Sequence, residues 1–124
     1  MNLRTFFVIS AVVALLYALG LILMPATLDS MYGFGTSASE QLLSRLFGVE
    51  LLALGLIQWL AKDLPAASVR PIIIGSLSAN VVGTIVSLMG TLGGVMNSLG
   101  WSAVAIYLLL GLGFAYFQFM PPAK

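Results

Sequence analysis

Residues 5–24 read TFFVISAVVALLYALGLILM, a run without a single charge that stops at Pro25. Twenty helical residues rise about 30 Å, the thickness of a bilayer's hydrocarbon core. Three further blocks of this kind follow, so the expected spans cover about residues 4–24, 39–60, 71–92 and 98–120. Barrel strands would need segments of about ten residues in apolar–polar alternation, and that pattern is missing. The expected fold is an all-α membrane protein, a four-transmembrane-helix bundle forming one domain over residues 1–124.

Composition agrees. Hydrophobic residues make up 60% of the chain and charged residues 7%, against roughly 45–50% and about 25% in soluble domains. Arg4 ahead of the first apolar run imitates a signal peptide, but the run exceeds the usual h-region of about 7–15 residues. A retained first helix is the expectation. The chain has neither Cys nor His, which excludes disulfides, thiolate chemistry, haem ligation by His and the commonest metal ligand. No metal or other cofactor is expected. A net charge of +1 gives no basic patch for nucleic acid.

Local signals set the boundaries. Ser37-Ala-Ser-Glu40 has the form of a capping box at the start of the second span. Pro71 suits the first turn of the third span, and Pro121-Pro122 would halt the fourth. The connection from Pro25 to Ser39 predicts a short interfacial helix over Ala26–Met31, ended by Gly33 or Gly35. Four of the five basic residues, Arg4, Lys62, Arg70 and Lys124, fall at the termini or between spans two and three. The positive-inside rule then puts both termini in the cytoplasm. Trp59, Tyr116 and Phe117 would belt the inner interface, with Trp101 and Tyr32 near the outer one.

Two of the nine charges lie well inside a span, away from loops, termini and helix ends: Arg45 and Glu50. Ionisable groups at bilayer depth are costly, usually paired and often functional. On this topology Glu50 lies near the midplane with Asn80 and Tyr107, and Arg45 about 7.5 Å nearer the outside with Tyr17. Asn80, Thr84 and Ser87 share one helical face, expected to turn inward. Five positions put Arg45 and Glu50 about 140° apart around their helix, so they serve different partners. Glu50 is expected buried, as a neutral acid reaching Asn80 or Tyr107. Arg45 is expected to reach Tyr17, Ser87 or Asp29, or to snorkel to the headgroups. Both a packing clamp and a ligand or proton site remain open.

Small residues recur at helical spacing: Gly75, Ala79, Gly83 and Ser87 in span three; Ala103, Gly111 and Ala115 in span four; Ser44, Gly48 and Gly55 in span two. In lipid such ladders allow helices to approach closely. They serve either folding or dimerisation.

The segment Ser44-Arg-Leu-Phe-Gly-Val-Glu-Leu-Leu-Ala-Leu-Gly-Leu, after a Pro-containing first loop, resembles small bacterial four-helix membrane proteins of the DoxX-like kind. The resemblance implies a four-helix bundle in the bacterial inner membrane and, for some relatives, association with quinone-linked or redox membrane complexes. It transfers no catalytic residue. Small multidrug-resistance exporters share the length and helix count, but they carry a membrane acid in the first helix. Here it is Glu50, in the second.

The expected function is therefore a non-enzymatic, multi-pass protein that binds a small amphiphile, lipid or quinone-like, in a polar bundle interior, or serves as an accessory subunit. Membrane lipid, a homodimer or a larger membrane complex are the expected partners. The alternative is an oligomeric proton-coupled transporter with Glu50 as coupling acid. An enzyme using Glu50 and Tyr107 has only a lone acid behind it.

Overall fold

The computed structural model describes residues 1–120, and five α-helices occur among them. They are α1 (Leu3–Leu23), α2 (Pro25–Met31), α3 (Ala38–Ala61), α4 (Ala66–Leu92) and α5 (Gly100–Phe119). Four of them, α1, α3, α4 and α5, are long and apolar enough to cross a membrane. Their surfaces support that reading. Leu16, Leu43, Leu60, Val86 and Leu109 are each more than half exposed, which a water-soluble monomer does not tolerate in contiguous patches. Pro121, Pro122 and Lys124, expected to end the fourth span and mark its side, lie outside the described residues.

The helix ends follow from local chemistry. The Ser37 hydroxyl accepts from the Glu40 N–H at 3.3 Å, and the Glu40 carboxylate accepts from the Ser37 N–H at 2.8 Å. Both halves of the capping box are thus made at the start of α3. Gly33 follows the C-cap of α2 with φ 86°, and Gly94 follows that of α4 with φ 77°. In each case the next N–H reaches back across the turn: Phe34 to the Asp29 carbonyl at 2.8 Å, Val95 to the Gly90 carbonyl at 2.9 Å. These are Schellman ends, which need a residue that adopts left-handed φ without strain. The Gly90–Gly94 stretch is thereby a helix stop.

One boundary departs from expectation. α4 begins at Ala66, five residues before Pro71, which lies inside the helix. Pro65, with φ −58° and ψ 145°, provides the extended residue that launches it. Pro71 lacks an N–H and leaves one intrahelical bond unmade near the helix start, where the loss is smallest.

The chain divides into two compact units, residues 7–62 and residues 1–6 with 63–124. In the first, α1 and α3 run antiparallel in close contact. A Cβ added at Gly48 would lie 2.9 Å from Ile22 Cγ1 and 3.1 Å from the Ala18 carbonyl oxygen. One at Gly55 would lie 2.7 Å from Leu15 Cγ. Two turns apart, these glycines are the groove into which α1 fits. In the second unit α4 and α5 are antiparallel: Thr91 meets Gly100, Tyr107 covers Gly83, and Asn80 lies against Gly111. The Phe6 ring sits on Gly113, edge-on to Phe114 with centroids 4.8 Å apart. Phe117, expected in an interfacial belt, is buried there, 5.5 Å from Phe6. Arg4 and Asp63 form an exposed ion pair at 2.6 Å.

Candidate functional site

In the unit of residues 7–62, several polar side chains gather where α1 ends and α3 begins. The short helix α2 brings them there. Pro25 fixes φ at its first position, and Pro25 and Asp29, four residues apart, form its buried stripe. A carboxylate on the inward stripe is unusual and needs partners. Asp29 is 3% exposed, and its Oδ1 accepts from the Ser44 hydroxyl at 2.6 Å. Its Oδ2 is equally buried and receives no hydrogen bond. The Tyr17 and Tyr32 hydroxyls share a 2.6 Å hydrogen bond beside the same α1–α2 junction.

Arg45 Nε donates to the Ile22 carbonyl at 3.2 Å. Ile22 belongs to the last turn of α1, where carbonyls lack intrahelical donors and carry the negative end of the helix dipole. Helical side chains lean toward their own N-terminus, so Arg45 on α3 leans toward the end of α1. No carboxylate in this unit pairs with it. Asp29, expected as its partner, takes Ser44 instead, and Tyr17 takes Tyr32. The cause is helical phase: Ser44 continues the Gly48–Gly55 stripe toward α2, and Arg45 is turned 100° from it.

Glu50 requires a correction. It is exposed, not buried. It lies twelve residues beyond Ala38, about 18 Å along a helix of 24 residues, and so at mid-length. The α1-facing stripe is set by Gly48 and Gly55, and Glu50 is about 200° from the first and 140° from the second. The side chain therefore leaves from the face turned away from α1.

In the other unit, Asn80 and Ser87 are buried and Thr84 half-buried. Their polar groups serve their own helix. Asn80 Nδ2 donates to the Ser76 carbonyl at 2.7 Å, Thr84 Oγ1 to the Asn80 carbonyl at 2.7 Å, and Ser87 Oγ to the Gly83 carbonyl at 2.7 Å. Such back-bonding satisfies a hydroxyl in lipid without any second helix. Tyr107 packs its ring on Gly83. An apolar groove of about 320 Å³ opens among Met1, Phe6, Gly113, Tyr116 and Phe117, with no side-chain charge in its lining.

The pairing of Asp29 with Ser44 escapes a reading of the sequence, although Ser44 stands four residues before Gly48 on the packing stripe. That spacing is the available signal. No protein-family model, curated protein or solved structure matches this chain.

Proposed function

We propose that this is a multi-pass protein of a bacterial inner membrane, with both termini cytoplasmic, that binds a small amphiphile without turning it over. The polar end of α1, α2 and α3 holds the head, and the apolar helix faces accept the tail. One observation carries the reading: Arg45 is pinned through Nε to the end of α1, with no carboxylate in its unit to neutralise it. Arg45 is the eighth residue of α3, about 10 Å from the helix start. A guanidinium at that depth reaches the interface by snorkelling, and its remaining N–H groups form a fork suited to a phosphate or carboxylate. The DoxX-like resemblance is compatible with a lipid or quinone-like occupant.

Native mass spectrometry of protein purified in mild detergent tests this reading. The wild type is expected to retain an amphiphile of lipid mass, and Arg45→Gln to lose at least tenfold of that retention. A wild type that carries nothing, or an Arg45→Gln variant that carries as much, contradicts it.

The exposed mid-helix carboxyl of Glu50 favours a second feature, association with another membrane chain or a second copy. A bare ionisable group at that depth is costly in lipid. A proton-coupled oligomeric transporter would place its coupling acid there.

A further inference from the structure

Asp29 Oδ2 is a buried acceptor without a donor, which costs free energy in any low-dielectric site and is rarely retained without a role. Its neighbour Oδ1 accepts a short bond from Ser44, at 2.6 Å. No N–H or O–H among the described residues donates to Oδ2. A donor's chemistry follows from the residue next along α3. Ser44 holds the carboxylate and Arg45 carries the guanidinium, on consecutive positions whose Cα atoms are about 3.8 Å apart. An acceptor group and a cationic fork thus stand on neighbouring faces of α3, about 100° apart, near one end of an apolar helix pair.

Building on the amphiphile reading, we infer that the head recognised here is zwitterionic: an ammonium with free N–H groups donating to Asp29 Oδ2, joined to a phosphate held by Arg45. The phosphoethanolamine head of a phospholipid has this composition, its nitrogen and phosphate separated by two carbons. A quaternary head such as choline carries the same charges but has no N–H, so it satisfies Arg45 and leaves Oδ2 bare. A purely anionic head offers no cation to the carboxylate. Oδ2 is buried in this structure, so the ammonium reaches it only as the groups around it give way.

The test uses the whole protein in mixed micelles with phospholipids of identical acyl chains: ethanolamine, its N-methyl and N,N-dimethyl forms, choline and glycerol heads. Native mass spectrometry reads the bound lipid. Retention is expected to fall stepwise as N–H groups are replaced, with the ethanolamine form favoured at least fivefold over choline and over glycerol. Asp29→Asn is expected to abolish the ethanolamine–choline difference. Arg45→Gln is expected to lower both alike. Ser44→Ala, which keeps the carboxylate, is expected to preserve the preference. Equal retention along the methyl series overturns the inference while leaving amphiphile binding intact, and so does a preference that survives in Asp29→Asn. Retention of none of these lipids removes both. The methyl series needs only the wild type, so it decides the matter even where a variant fails to fold.

Discussion

Gly48→Leu is expected to separate α1 from α3 and to cost at least about 3 kcal/mol, the upper end of what overpacking a well-fitted core costs. The reason is the identity of the atoms in the way. A Cβ at this position would stand 3.0 Å from the Cβ of Leu21 and 3.1 Å from the Ala18 carbonyl oxygen. Neither is the tip of a flexible side chain, so relief requires moving a helix. Gly55→Leu should behave similarly, since its Cβ would meet Leu15 at 2.7 Å and the Ala11 carbonyl oxygen at 3.3 Å. Gly75→Leu is the contrast. It belongs to the same kind of ladder, yet nothing lies within 4 Å of its added Cβ, and its stability should change by less than about 0.5 kcal/mol, as at other surface sites. Reversible unfolding in bicelles reads all three. Equal losses at Gly48 and Gly75 would deny that the glycine stripe of α3 is the α1 contact. Gly48→Leu should also disturb the site, because Ser44 and Arg45 are positioned by the same register.

Glu50→Leu is expected to act in the opposite direction. A charge at the centre of a spanning helix costs roughly 2.5–3.5 kcal/mol in insertion free energy, whereas Leu contributes about −0.5. Glu50 is at mid-length on an exposed face, so the diluted single chain in bicelles should gain about 3–4 kcal/mol in insertion free energy. The same substitution should weaken association with whatever covers that face in the membrane, read as a loss of cross-linked oligomer at high protein-to-lipid ratio. A destabilised single chain would mean instead that the carboxyl makes a buried hydrogen bond that Leu removes.

The spans are legible in the sequence because their signal is length and composition, which no tertiary contact overrides in lipid. The short α2 and the Ser37–Glu40 capping box are legible because caps and turns are decided within a few residues. Pro71 misleads for a related reason: a proline suits a helix start, but Pro65 suits it too, and α4 takes the earlier one. The polar site is half legible. Phase alone shows that Arg45 and Glu50 do not share a partner. It gives no means of seeing that a backbone carbonyl, Ile22, competes for Arg45. Nor does it reveal that the acid of α2 chooses the hydroxyl beside that arginine. Pattern locates faces; which atoms meet across them depends on helix offsets of a few ångströms. Asn80, Thr84 and Ser87 each donate to a carbonyl of their own helix, partners that a reading of helical faces alone does not name.

An amphiphile whose head is held where α1, α2 and α3 meet should label those helix ends. The most direct test is photo-crosslinking of the wild type in bicelles with a phospholipid bearing a diazirine on its head group, followed by peptide mapping. Adducts are expected to concentrate between residues 22 and 48 and to be lost in Arg45→Gln. Adducts spread evenly over the exposed ends of α4 and α5, or unchanged in that variant, would contradict it.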